Sequence, residues 1–382
     1  MTHRFTTETL RRRTDSLATD ELTINFGPQH PSTHGVLRLE VKANGEVITC
    51  VDSHLGYLHR GIEKNLESKE FLQGIPLLDR ADYLSSMFNS YIMTACAEEL
   101  AEIEPTKRAE WIRVIMMELN RISSHLLWWG TFLLDLGATT PMFYAFRERE
   151  DICDMFELVT GARLLFNYIR PGGVRADVTP EFMKRLAKFT ETFPKYMDEY
   201  EELVTGNAIF VERVTSVGVM SAERAINWGL SGPMLRGSGV AWDLRIDEPY
   251  CAYPDFTFDR AVDSGCDVMA RYRVRMMEMR QSNRILKQAV EGLPEGPYTA
   301  KVPVSIKCKQ GMTYRRIESP RGELGGFMVT SEDKAKKPWR FHLRAPSFVN
   351  LSAIEELTLG YMIGDLIAIL GGVDIVLGDV DR

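Results

Sequence analysis

Four of the chain's seven histidines, His30, His34, His54 and His59, fall in two short segments, GPQHPSTHG (27–35) and HLGYLHRG (54–61). Imidazoles gathered in this way can ligate a metal, or hold and donate protons near neutral pH. His30 and His34 have the i, i+4 spacing that sets two metal ligands on one helix face. Pro28 and Pro31 oppose a continuous helix there, and no Glu stands where a metallohydrolase would carry its base. The plainer reading is a Gly/Pro-shaped loop whose histidines bond backbone groups.

Two other residues belong beside them. Tyr83, in DRADY (79–83), is a weak acid flanked by Arg80 and Asp82; it is either a helix-packing tyrosine or a proton donor. Asp135 interrupts the apolar run LLWWGTFLLDL (126–136). A carboxylate in such a run lies near the surface, is protonated, or is paired, because an isolated buried charge is too costly. Histidine is a suitable partner for it.

Other chemistries are excluded. The six cysteines, Cys50, Cys96, Cys153, Cys251, Cys266 and Cys308, form no CxxC, so neither an iron–sulfur motif nor a cysteine zinc site is present. GxGxxG, GxxxxGK[ST] and GxSxG are absent as well. Forty-six basic residues against 53 acidic ones give a net charge of −7, which disfavours nucleic acid as a partner. The apolar runs 126–136 and 361–378 are too short or too interrupted to span a bilayer.

The elements that must position these residues are legible in outline. Asn44-Gly45 between two strand-like runs predicts a two-residue hairpin. That turn would pair Val41 with Ile48 and Leu39 with Cys50, making Cys50 a core thiol and setting both histidine segments at the hairpin's open end. Helices are predicted over most of 62–104 and 106–169, with Thr106 as an N-cap, and over 179–205, 208–227 and 260–290. Residues 228–259 read as a long irregular loop. The runs RYRVRMMEMR (271–280) and RERE (147–150) read as solvated or partner-facing helix surface. Strands are predicted at 313–319, 325–330 and 339–344, followed by a Ser352–Leu370 helix. The expected organisation is a flexible arm (1–20), a β-hairpin with its loops (21–61), a helical core (62–292), and a small α+β domain with a C-terminal helix and tail (293–382). The fold class is α+β, predominantly α.

GPQHPSTHGVLR (27–38), LHRGIEK (58–64), DRADY (79–83), ELNRISSHLL (118–127), LDLGATTP (134–141), GARLLFNYIRPGG (161–173) and GDVDR (378–382) occur in this order along nearly the whole chain. Together they resemble the 49 kDa-type (D-type) subunit of respiratory complex I, NADH–quinone oxidoreductase. The resemblance implies a fold like the large subunit of nickel–iron hydrogenases. Those enzymes hold nickel with two cysteine pairs; LHRGIEK and GDVDR carry none, so the metal chemistry is lost.

The resemblance further implies a quinone-reducing site active only in the assembled complex, on the cytoplasmic side of a bacterial inner membrane. Electrons would come from an iron–sulfur cluster in a partner subunit. His34 and Tyr83 would hydrogen-bond the quinone, Asp135 would pair with His34, and Thr131 and Val380 would line the cavity. Arg60 would stand near the partner's cluster. Implied neighbours are subunits B, C and I, with B holding the cluster, and the membrane-embedded H at the quinone entrance. The alternative is a non-catalytic scaffold in a related ferredoxin- or hydrogenase-linked membrane complex. One departure stands out: many members carry a histidine after GAR, where this chain has Leu164 and Leu165.

Overall fold

The computed structural model describes residues 21–30 and 35–382; the N-terminal arm and His34 lie outside the described residues. The chain opens with an antiparallel sheet of β1 (Glu21–Phe26), β2 (Arg38–Asn44) and β3 (Val47–His54). The hairpin is there, extended by β1, but its register is not the expected one. Gly45 (φ 62°) and Glu46 form the turn while Asn44 pairs with Val47. Thr49 is then an extra residue on β3, so Ala43 pairs with Ile48 but Lys42 with Cys50. This bulge inverts the inward/outward alternation: Ile48 and Val51 are buried, and Cys50 is only half-buried.

Two short helices follow, α1 (Ile62–Leu66) and α2 (Phe71–Leu78), then α3 (Ser86–Ala101). The central element is α4 (Lys107–Asp135), which packs against both α5 (Thr140–Thr160) and the later α11 (Val268–Gly292). Thr106 caps α4 as expected, accepting from the Ala109 amide at 3.2 Å. Trp111, Ile115, Leu119, Ile122 and Leu126 are all buried. So are Glu118, Arg121 and His125 on the same helix, which places charge inside the core.

A two-residue hairpin, β4 (Ile169–Arg170) and β5 (Gly173–Val174), is fastened by Glu98. Its carboxylate takes Arg113 at 2.6 Å and the Gly172 amide at 2.7 Å. Beyond it, α6 (Pro180–Tyr200) runs into a π-helical turn over 201–205. The helix expected over 208–227 is two pieces, α7 (Ala208–Val214) and α8 (Ala222–Asn227), because Ser216 and Gly218 adopt positive φ. Only two short helices, α9 (Pro233–Arg236) and α10 (Leu244–Asp247), and the turn Tyr253–Asp255 relieve the irregular stretch before α11.

The predicted meander is present as antiparallel β6 (Gly311–Ser319), β7 (Gly322–Thr330) and β8 (Arg340–Arg344). After it come α12 (Pro346–Leu351) and then, in place of the single helix expected over Ser352–Leu370, α13 (Ile354–Thr358) and α14 (Ile363–Val373), with Gly360 at positive φ between the last two. The chain closes with α15 (Leu377–Asp381). The Gly360 amide donates to the Ile48 carbonyl at 3.0 Å, and the Ile48 amide to the Tyr361 carbonyl at 2.9 Å, so the two ends of the chain are joined. The architecture is a helical core with small antiparallel sheets near both ends, the predominantly α, hydrogenase-like α+β class anticipated. No helix among the described residues is long and apolar enough to cross a membrane.

Candidate functional site

Three of the motif segments meet in space. Arg60, at the end of the loop after β3, donates to the Arg80 carbonyl at 2.6 Å. Gly378 sits against both: a Cβ there would lie 2.5 Å from the Ala81 carbonyl and 2.8 Å from the Arg60 guanidinium. Asp381 clasps the loop, accepting from the Gly56 amide at 2.9 Å and the Leu58 amide at 2.7 Å, while its carbonyl contacts His59 Nδ1 at 2.7 Å. Arg382 reaches the Leu343 carbonyl at 2.7 Å and lies over the Phe348 ring. Val380 is buried at the edge of a surface cavity of about 500 Å³, shared with His59, Glu63, His342 and Phe348.

Tyr83 stands on the turn between α2 and α3, not on a helix, and is half-buried. The turn is shaped by its neighbour Asp82, whose carboxylate accepts from the Leu84 and Ser85 amides at 3.1 and 3.2 Å and from the Ser85 hydroxyl. Arg321, in the two-residue turn between β6 and β7, meets Asp82 at 2.9 Å and the Ser124 hydroxyl at 3.1 Å. Burial and the Asp82 charge push the Tyr83 phenol up from its ordinary value, against Arg321 and Arg60. It therefore keeps its proton throughout the neutral range.

Thr131 and Asp135 occupy the last two turns of α4. The Thr131 hydroxyl donates to the Leu127 carbonyl at 2.9 Å, within its own helix. Asp135 is half-buried, and the next turn borders an apolar cleft of about 430 Å³ lined by Leu133, Leu136, Leu203 and Phe210. The expected His34–Asp135 pair rests on a residue outside the described ones. The other histidines of the supposed cluster face different partners. His54 lies 3.7 Å from Glu40, His59 is held by Asp381, and His30 stacks edge-on against Phe26. Among the described residues no group of three or more metal-ligating side chains exists.

The profile of the family "Respiratory-chain NADH dehydrogenase, 49 Kd subunit" matches residues 135–310 and 302–382. The D-type subunit of NADH-quinone oxidoreductase from Geobacillus kaustophilus (strain HTA426) is 50% identical over 366 residues, 96% of this chain and 99% of the relative. The protein of the same name from Bacillus mycoides (strain KBAB4) is 50% identical over 96% of this chain and 100% of its own. That of Dehalococcoides mccartyi (strain ATCC BAA-2266 / KCTC 15142 / 195) is 49% identical over equal shares. The chain belongs to the 49 kDa subunit family of complex I.

This complex I subunit carries buried charge that the sequence reading placed on the surface. In 271–280, Arg271, Arg275 and Glu278 are fully buried and only Arg273 is exposed. In 147–150, Glu148 is buried between Arg147 and the Tyr200 hydroxyl. The reason is helical geometry: Arg271, Arg275 and Glu278 share the inward face of α11, where carbonyls and counter-charges receive them. Arg275 donates to the Gly372 and Val373 carbonyls at 3.1 and 3.3 Å, capping the C-terminus of α14. Arg236 joins Glu278 at 2.5 Å to Glu318 at 2.7 Å, and Glu278 meets His125 Nε2 at 2.8 Å.

A second buried cluster was missed altogether: Asp82, Arg321, Asp374, Arg275 and Asp379. A signal for it existed. Asp374 interrupts the apolar run 361–378 and Asp379 follows directly on it, so the cost of burial weighed for Asp135 applied to them as well.

Proposed function

We propose that this chain forms one wall of a quinone-reducing site in an assembled complex I, with Tyr83 donating to one quinone oxygen. The observation that carries the reading is the setting of Tyr83. It is a protonated, half-buried phenol on a turn held by Asp82 and Arg321, next to the junction of the Arg60 loop and the 378–382 segment. A quinone that gains two electrons needs two protons, and a positioned donor stabilises the charge that develops on its oxygen. Tyr83 is such a donor. The other functional residues in this reading are His34 as the second donor, Asp135 as its partner, and Thr131 and Val380 as cavity wall.

Arg60 fits a place facing an iron–sulfur cluster held by a partner, because its guanidinium is fixed by the Arg80 carbonyl and remains exposed. A fixed cation there favours the added electron. Subunits B, C, I and H as neighbours, and a position against the cytoplasmic face of a bacterial membrane, belong to the same reading. It is tested by Tyr83→Phe in the assembled complex. Quinone-linked turnover should fall by about two orders of magnitude, while electron transfer to an artificial acceptor upstream is retained. Unchanged quinone turnover would replace it with the scaffold reading.

A second consequence concerns Leu164 and Leu165. They lie on the surface stretch after α5, with Leu164 exposed and Leu165 at φ 58°. Neither can exchange a proton with a nearby cluster. The potential of the partner's cluster is expected to vary little with pH in an EPR redox titration; a slope near one proton per electron would contradict this.

A further inference from the structure

A cavity of about 850 Å³ opens between α3, the first turn of α4, the loop after α10 and β6. It lies away from Thr131 and Asp135: Glu110, in the first turn of α4, is about 30 Å along the helix from Thr131. Six carboxylates line the cavity against three guanidinium groups. Most of these charges are already matched. Glu98 holds Arg113 at 2.6 Å, Glu99 holds Arg315 at 2.5 Å, and Glu102 reaches out to Lys309 at 2.5 Å. Glu248 takes Arg316 at 2.7 Å. Two carboxylates remain, Glu104 on the loop after α3 and the half-buried Glu110. Neither carboxylate makes an ion pair or a hydrogen bond among the described residues.

The floor supplies an independent feature. Tyr91 and Tyr250 lie side by side there, with ring centroids 5.7 Å apart. The Tyr250 hydroxyl is engaged, donating to the Glu318 carbonyl at 3.4 Å. The Tyr91 hydroxyl is not. Tyr91 is only 6% exposed and lines the cavity, yet its hydroxyl makes no hydrogen bond among the described residues. Arg113 stands 5.6 Å over one face of its ring, so the oxygen is what Tyr91 has left to offer. A buried polar atom without a protein partner is costly unless an occupant meets it. Next to Tyr250, Cys251 is held at φ 52° and its thiol donates to the Glu110 carbonyl at 3.2 Å. That bond ties the tyrosine floor to the wall that carries Glu110.

We propose that this cavity is a binding site for a primary ammonium group, held by Glu104, Glu110 and the Tyr91 hydroxyl. The chemistry follows from what the protein leaves unmatched. Two carboxylates without counter-charge call for a cation, and the phenol oxygen accepts from an N–H donor. An ammonium carries three such donors on one compact charge, one for each of the three acceptors, whereas a flat guanidinium presents its donors to a single carboxylate. A bare metal ion does not suit the site, since no group of three metal-ligating side chains exists among the described residues. The volume lies in the range of cavities that hold small organic ligands. One chemistry has two sources here: a free polyamine, or a lysine of a neighbouring subunit. The proposal stands apart from the quinone reading and does not depend on Tyr83.

The test is carbodiimide coupling in the assembled complex, with and without spermidine, mapped by mass spectrometry. The reagent joins a carboxylate to an amine already in contact with it, so Glu104 or Glu110 should emerge as an amide. An amide to spermidine that saturates with concentration identifies a free amine as the occupant. An amide to a lysine of another subunit, formed without added spermidine, identifies a docked side chain. In either case Glu110→Gln should lower coupling at Glu104 at least about tenfold, because one charged hydrogen bond is gone. Tyr91→Phe keeps the ring and loses only the hydroxyl, so coupling should fall by about threefold; this variant decides the matter if Glu110→Gln fails to assemble. Coupling at Glu104 and Glu110 no greater than at the exposed Glu295 overturns the proposal. So does coupling that these substitutions leave unchanged.

Discussion

Arg236→Met is expected to destabilise the chain by about 3–5 kcal/mol, enough to prevent its recovery in the assembled complex. Arg236 is fully buried and is the common partner of Glu278 and Glu318. Burial pushes the Glu278 carboxyl up, yet Arg236 and His125 outweigh it and hold the group well below the usual carboxylate range. Glu318 is raised by burial in spite of Arg236. Methionine fills the volume but leaves two carboxylates facing one another. Both would then titrate upward, so the damage should be greatest at neutral and alkaline pH and shrink on acidification as they protonate. The double variant Arg236→Met/Glu318→Gln should recover part of the loss, because one of the orphaned charges is gone. Urea unfolding across pH, with the yield of assembled complex, checks both statements.

Gly232→Val is expected to be nearly as damaging, for a steric reason. Gly232 has φ 64°, and a Cβ there would lie 2.4 Å from the Gly322 Cα and 2.7 Å from the Arg321 carbonyl. Both contacts are backbone, so neither neighbour can rotate aside. A β-branched residue in this conformation also carries strain of about 1–3 kcal/mol, and the overpacking adds about as much again. The seam it would open is the one that seats Arg321. The variant should therefore lose quinone turnover even in whatever fraction assembles, while upstream electron transfer in that fraction persists. Stability close to wild type with normal turnover would mean that the seam does not govern Arg321.

The elements legible from sequence were those with one dominant period or one strong cap. Thr106 and the stripe from Trp111 to Leu126 announced α4, and the short runs at 313–319, 325–330 and 339–344 announced β6 to β8. What could not be read was local. The bulge at Thr49 depends on which of Asn44 and Gly45 enters the turn, a choice made by pairing across the sheet and with the 360–363 segment. Arg271, Arg275 and Glu278 looked solvated because charge on a helix usually is; only the arrival of Gly372, Val373 and Arg236 from distant segments makes burial tolerable. Among the motif segments, Arg60, the 79–83 turn and 378–382 converge. Their convergence came from resemblance, since nothing in the spacing of residues 60, 83 and 378 requires them to touch.

That convergence also has a temporal side. Asp381 binds amides 325 and 323 residues before it, so the Arg60 loop has no clasp until residue 381 has been made and brought back to it. Contacts of such long sequence separation form late, after the local helices. A partner that recognises the clasped loop would thereby pass over frayed copies and dock only where the 56–58 loop and residue 381 have met. The residues that hold the loop in shape would then also report that two distant segments have folded together.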